Sequence, residues 1–576
     1  MKTPQTAHRR AVTPLLLLLP LSAAIAQTAP DAGTLLQQSG RERTTVLPQT
    51  SPVPKDSAVP RPRAAGTAVT IQRFRFEGNQ RFESARLAEV VAGYLNRPLD
   101  VEELQDAGAA VATLYREHGW LARVVLPRQE ITEGTVTLRV VEAVFGTTQI
   151  DADGAAETAP LQVSPDTLKR FIGARQKSGQ PLNMNDLERG MLLADDLPGV
   201  AVVGSLGAGQ REAETDMLLR VRNERPAQLT LTTDNHGSRG TGAGRVLGDG
   251  QLNSPFGLGE QVGLSSQLSQ GVEYGRASAS VPLGHDGWRA GVNASAMRYR
   301  VTGADFAALQ PEGRSTAVST DLTHALVRQH DRNVYLTAGI DHKRFRNGTL
   351  TGTTSDYRLT ATQLGVSGNL NDALGGGGLS SASLSLTLGR LNLDGSPHQA
   401  NDAQTLRTEG SFTKWRYRLS RQQALTQGLS LQGTLSGQRA SKNLDSSEKF
   451  SLGGPDGVRA YPISEGSGAA GDLFNAELRW LWPASSGCGT CVLSAFYDWG
   501  RVTVNRHNDG AGAATLNHHT LRGHGLTMSW QGPGGLGLSA TWARRHGVNP
   551  NPTTSGADQD GSAPGHRVWL SASLSF

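Results

Sequence analysis

Cys488 and Cys491 are the only cysteines in 576 residues, and their spacing allows two chemistries, half of a zinc site or a small disulfide. A closed structural zinc site needs four ligands, and neither a second cysteine pair nor a nearby histidine supplies them. An oxidising compartment favours the disulfide. The fourteen histidines are scattered, and the His518-His519 pair lacks metal-ligand spacing and reads as a loop. No Gly-x-x-x-x-Gly-Lys-Ser/Thr phosphate cradle, no His-Glu-x-x-His and no Gly-x-Ser-x-Gly elbow is present. Gly535 to Ala540 fits Gly-x-Gly-x-x-Ala only because it lies in a glycine-rich strand. The expectation is therefore a protein without catalysis, bound cofactor or metal.

The start of the chain decides the compartment. Lys2, Arg9 and Arg10 precede the apolar run Leu15 to Ile25, and Ala24-Ile25-Ala26 offers the small residues of a cleavage site. Residues 1–26 read as a signal peptide. The run is too short to span a bilayer and Pro20 interrupts it. After it, no segment is long and apolar enough for a transmembrane helix, and the mean hydropathy is −0.35. A net charge of only +5, without a Lys/Arg block, argues against a nucleic-acid partner, and sixty-nine glycines with 5% aromatic residues are odd for a soluble globular enzyme. They suit many short alternating strands closed into one large sheet.

Three regions follow. Residues 27–69 hold a helix-capable stretch, Thr34-Leu35-Leu36-Gln37-Gln38, and then Pro48, Pro52, Pro54, Pro60 and Pro62, an extended linker. Residues 70–143 give the order β-α-α-β-β: a strand at 69–76, helices at 84–95 and 101–118, strands at 122–127 and 135–141. In the second helix Leu104, Gly108, Val111, Ala112 and Tyr115 line one face. Residues 144–225 repeat that order, with Ser164-Pro165 opening one helix and Asn185 as the cap of the next. From 226 to 576 the period is two, with about sixteen strand candidates by the barrel criterion, among them 228–233, 261–268, 290–299, 380–388, 429–435 and 568–576. In the last, Val568, Leu570, Ala572, Leu574 and Phe576 form an apolar face opposite Trp569 and three serines. A terminal Phe576 suits the closing strand of a barrel. Trp480, Trp482, Trp530, Trp542 and Trp569 are candidates for an interfacial girdle.

This order of parts resembles the two-partner secretion transporters of the haemolysin secretion-activation type, relatives of the barrel-assembly factors that carry POTRA domains. The resemblance spans the mature chain and sharpens at three motifs. Leu452-Gly453-Gly454-Pro455-Asp456-Gly457-Val458-Arg459-Ala460-Tyr461-Pro462 is similar to the family's extracellular loop that folds back into the lumen, expected around 451–470. Phe496-Tyr497-Asp498-Trp499-Gly500 is similar to its Phe-x-Asp-x-Gly strand motif. Asp234 to Gly242 is similar to its first barrel hairpin and is assigned no chemistry. The resemblance implies that Asp498 faces the lumen and pairs with Arg459, whose fork can hold a carboxylate through two parallel hydrogen bonds, with Val458 and Tyr461 shaping the loop tip. Ala460 departs from the usual glycine, a strain if that position needs a positive φ.

The same resemblance implies two POTRA domains that capture an unfolded secreted partner, of adhesin, haemolysin or toxin class, by strand addition at a sheet edge. It further implies export through the barrel without nucleotide, residence in outer-membrane lipid and insertion by the barrel-assembly machinery. A helix at Thr34 to Arg43 would plug the resting lumen; Gly33 and Gly40 interrupt it, so an unstructured tail stays open. Insertion of other barrels is a rival that two repeats rather than five disfavour. A surface adhesin or diffusion porin is a second rival, which leaves the repeats unexplained.

Overall fold

A computed structural model describes residues 29–41, 68–151, 160–303, 306–482 and 489–576. The expected signal peptide, the proline-rich stretch 42–67 and Cys488, hence the expected Cys488–Cys491 disulfide, lie outside the described residues.

In the first α+β domain the strands Arg73–Glu77, Thr135–Glu142 and Ala122–Val125 form a sheet in that order. The first pair is parallel and the second antiparallel. Asp100 opens the helix Val101–Glu117 with a capping box: its side chain accepts from Glu103 N, and Glu103 reaches back to the Asp100 amide. The helix buries Leu104, Ala107, Gly108, Val111, Leu114 and Tyr115. Leu114, not the expected Ala112, holds a core position, because the buried face centres on Val111 and Ala112 falls at its margin on a helix of 3.6 residues per turn. The expected helix 84–95 divides into Ser84–Val90 and the 3-10 turn Ala92–Tyr94. The chain then reverses through Asn96, at φ 60°, so that Pro98–Leu99 pairs with Val69–Thr70.

The second domain repeats the architecture. Its sheet runs Val144–Asp151, Glu214–Asn223, Val200–Ala208, covered by helices Pro165–Gly173 and Met184–Asp195. Ser164 caps the first, accepting from Thr167 N at 3.2 Å. The second is capped by Asn183, which accepts from the amides of Asn185 and Asp186. Asn185 was the expected cap; it already lies inside the first turn.

Sixteen antiparallel strands, from Ala227–Asp234 to His566–Ser575, close into a barrel. Closure satisfies every edge that an open sheet would leave in hydrocarbon. Strands lengthen to 21 residues at Gly352–Asp372, while the closing pair shares only the register from Thr230↔Ser575 to Asp234↔Ser571. Phe576 lies just past the last strand, 55% exposed, and its amide donates to Leu229 O at 2.9 Å. Alternation sends Val568 and Leu570 outward and Trp569 inward. Trp569 is thus not in the girdle. Trp480, Trp482 and Trp542 are exposed on the outer wall, and Trp482 and Trp530 flank Cys491 in one cross-strand row.

Candidate functional site: the lumen loop and its anchorage

Between the strands Leu429–Ala440 and Ala470–Trp482 the chain does not stay outside the barrel. Its tip is drawn in by apolar burial: Leu452, Val458, Ala460 and Tyr461 pack with the wall residues Leu473, Phe496, Leu521 and Ala543. The Gly-Gly-Pro-Asp-Gly run makes the fold possible. Gly454 sits at φ 114°, and a Cβ on Gly457 would lie 1.8 Å from Leu452 O. The tip is closed by Val458 N donating to Leu452 O at 2.7 Å and Tyr461 N donating to Val458 O at 3.0 Å.

The structure brings Arg459 and Asp498 together. Arg459 Nε donates to Asp498 Oδ2 at 3.0 Å and Nη2 to Oδ1 at 2.7 Å. The Arg459 backbone amide adds a third bond to Oδ2 at 3.0 Å, and Asn475 Nδ2 a fourth to Oδ1 at 2.8 Å. Asp498 is 0% exposed and Arg459 8%. The remaining guanidinium nitrogen donates to Glu477 Oε1 at 2.7 Å, and the cation lies 3.4 Å from the centroid of Phe496, a cation–π contact. Trp569 Nε1 donates to Arg459 O at 2.8 Å. Asn475 and Glu477, on the inward face of the strand beside Asp498, were not singled out in the sequence, and Trp569 was read there as a girdle residue; their convergence on Arg459 depends on register and barrel closure.

Gly500 and Ala460 have steric roles. A Cβ on Gly500 would lie 2.7 Å from Leu452 Cδ2, so that glycine lets the loop approach the wall. Ala460 is not among the residues with positive φ, so the feared strain does not arise. Its methyl faces Gly523, where an added Cβ would come within 2.6 Å of it. The lost glycine at the tip is matched by a glycine on the wall.

A second buried carboxylate fixes the other end of the loop. Glu448 accepts from Lys343 Nζ at 2.9 Å and from Lys414 Nζ, while its carbonyl accepts from Gln438 Nε2 at 3.0 Å. Separated by more than a hundred residues, Lys343 and Glu448 give no local sequence signal.

The helix Ala32–Arg41 lies inside the barrel against this loop. It begins two residues before the expected Thr34, because Asp31 accepts from Thr34 N at 2.8 Å. Ala32 N donates to Asn347 Oδ1 at 2.9 Å on the wall, Gln38 Nε2 to Ser464 Oγ at 2.6 Å, and Gln37 Nε2 to Lys449 O. Gly33 does not break the helix; its missing side chain admits Ser446, whose Oγ lies 2.3 Å from where a Cβ would stand. Beside the helix and loop remains a cavity of 1060 Å³, lined by polar residues such as Thr232, Arg245, Arg418, Ser436 and Glu477.

The first hairpin, given no chemistry from sequence, holds a buried bidentate pair, Arg245 to Asp234 at 2.8 and 2.9 Å. At the junction of the second domain with the barrel, Arg175 and Arg189 both bind Asp286 in a barrel turn, at 2.8 and 3.1 Å. Arg328 returns the contact by binding Asp196 bidentately, both bonds at 2.8 Å. Among the described residues no group of three or more His, Cys, Asp or Glu converges as metal ligands.

Comparison with known proteins agrees with this architecture. The family haemolysin secretion/activation protein ShlB/FhaC/HecB matches residues 213–523, and the ShlB-type POTRA domain matches 69–143. The heme/hemopexin transporter protein HuxB of Haemophilus influenzae is 26% identical over 426 residues, 73% of this chain and 74% of HuxB. The outer membrane transporter CdiB of Dickeya dadantii is 26% identical over 461 residues, 78% of this chain and 79% of that protein. The solved structure of CdiB from Escherichia coli superposes with a TM-score of 0.72 at 22% identity, covering 96% of this chain and 100% of that one. A closed sixteen-stranded barrel behind POTRA domains, matched over more than half its length, makes this chain a member of the ShlB/FhaC/HecB haemolysin secretion/activation family, the outer-membrane transporters of two-partner secretion.

Proposed function

We propose that the two periplasmic domains receive an unfolded partner protein, that the barrel conducts it to the cell surface, and that Arg459–Asp498 holds the lumen loop in its resting place. The carrying observation is a closed barrel whose lumen is occupied by two segments of its own chain, each seated on an apolar cluster of the wall and tied to it by a few polar contacts. Such segments can leave together or in turn without unfolding the wall. The helix Ala32–Arg41 acts as a plug: it fills space an exported chain must use. No nucleotide-binding motif accompanies the site, so the driving force is assigned to folding of the partner outside. Names of relatives mention heme/hemopexin and haemolysin; a partner of that class of exported protein is the expected cargo here.

Planar-bilayer conductance tests this reading. Larger and more frequent openings are expected when Arg459 is replaced by Ala, or residues 27–41 are removed, than in the intact chain. A chain that never conducts in any form, yet speeds the folding of urea-denatured barrels into vesicles, would assign it to barrel insertion instead.

A further inference from the structure

The outer wall of the barrel changes character toward the end remote from the periplasmic domains. On the strands Trp288–Arg300, Glu312–Arg328, Arg332–Thr349 and Gly352–Asp372, Met297, Tyr299, Ser315, Phe345, Tyr357 and Leu359 are buried inside the barrel. Alternation therefore sends their neighbours outward. The register sets Arg298 opposite Arg314 and Arg314 opposite Arg346, an unbroken row across three strands. Beside that row, Arg344 stands opposite Arg358. All five arginines are exposed.

The carboxylates of this wall stand at the borders of the row and none interrupts it. Glu273 lies opposite Arg298, Glu312 opposite Arg300 and Asp356 opposite Arg346. Asp356 is taken up by Arg344, at 3.1 and 3.2 Å, and Arg346 donates to Thr353 Oγ1 at 2.8 Å. Among the described residues no carboxylate forms an ion pair with Arg298, Arg314 or Arg358. Like charges directly opposite one another on a sheet repel, so the row costs the bare barrel stability unless an anion lies across it. Toward the periplasmic end of the same face, Val292, Val318, Ile340, Leu364 and Leu388 are exposed. Such an apolar band on an outer-membrane barrel faces hydrocarbon, and the arginines stand where hydrocarbon gives way to headgroups. A guanidinium fork matches phosphate oxygens through two parallel hydrogen bonds. An acidic peptide could use the arginines but not the wall beneath them; a phosphorylated lipid uses both.

We propose that this face binds a phosphorylated glycolipid of the outer leaflet, whose phosphate monoesters lie across Arg298, Arg314, Arg346 and Arg358 while its acyl chains run down the apolar wall. The inference stands on the barrel's place in the outer membrane and not on the export reading. Bound phosphate neutralises the row, so the lipid stabilises the strands that carry it, and the exposed ionic part of the contact weakens with salt.

The test titrates the full chain in detergent with diphosphoryl lipid A, monophosphoryl lipid A or phosphatidylethanolamine and reads bound lipid by native mass spectrometry. Retention is expected to follow the number of phosphate monoesters. The triple variant Arg298→Gln/Arg314→Gln/Arg346→Gln should weaken diphosphoryl lipid A by about tenfold, its barrel being checked by heat-modifiable gel migration. Arg73→Gln/Arg75→Gln/Arg123→Gln, which removes the same charge from exposed positions of the first periplasmic domain, should leave binding unchanged. Equal retention of the three lipids by the intact chain overturns the proposal without recourse to any variant. So does lipid A binding that the barrel triple leaves untouched, which would place the lipid elsewhere on the wall. Tighter binding of an alternating Thr-Glu peptide than of lipid A, abolished by the same triple, overturns it as well and makes the row a protein contact.

Discussion

Replacing Arg459 by Ala should harm the loop more than replacing Asp498 by Asn, although the two residues form one pair. With Arg459 gone, Asp498, which is 0% exposed in the intact chain, keeps two of its four hydrogen bonds, from the residue-459 amide and Asn475. A buried carboxylate stripped of its counter-ion costs about 3–5 kcal/mol, equivalent to roughly a hundred- to several-thousand-fold more undocked loop. With Asn at 498, the guanidinium still bonds Glu477 at 2.7 Å and still lies on Phe496. The loss there is that of a weakened charged hydrogen bond, about 1–3 kcal/mol. Hydrogen exchange of the Val458, Arg459 and Tyr461 amides reads the result directly, since all three donate within or from the docked tip. Unchanged protection in Arg459→Ala, or greater loss in Asp498→Asn, would refute the reasoning and leave apolar packing as what seats the loop.

Gly523→Ala should loosen the loop by about 1–3 kcal/mol through overpacking, because its Cβ would meet Ala460 Cβ at 2.6 Å; Ala460→Gly should restore amide protection in the double variant. Gly33→Val should expel the N-terminal helix and raise bilayer openings, since no room exists beside Ser446, whereas Gly40→Ala, with nothing within 4 Å, should leave conductance unchanged. At the domain–barrel junction, burial pushes the Asp286 carboxyl up, but hydrogen bonds from Arg175 and Arg189 outweigh it and hold it below its ordinary 3.8. A depressed carboxylate stabilises above its unfolded value and loses that contribution as pH falls through the folded one. Exchange protection around 284–288 should therefore be full at neutral pH and decline below about pH 4, and Asp286→Asn should abolish the pH dependence.

Much was legible in the chain because it is local. Period-two alternation and glycine turns gave a barrel of about sixteen strands by the usual signature, and two β-α-α-β-β runs gave the periplasmic repeats. Leu452 to Pro462 and Phe496 to Gly500 pointed to the loop and its wall through resemblance. Periodicity also fixed which residues of the final strand face together, though not that Trp569 would turn inward to bond Arg459 O. Other partners were invisible for a different reason. Glu448 with Lys343 and Lys414, Arg245 with Asp234, Arg189 with Asp286, and Gly523 with Ala460 are set by strand register, barrel closure and domain docking. Gly33 read as a helix breaker until its packing against Ser446 made it the residue that lets the helix seat. Sequence by itself determined the elements and which faces are apolar, because those follow from backbone propensity and alternation. Arg459 and Asp498 apart, a pair that the resemblance implied, the tertiary structure decided which buried charge meets which, because a carboxylate chooses its partner by distance in space.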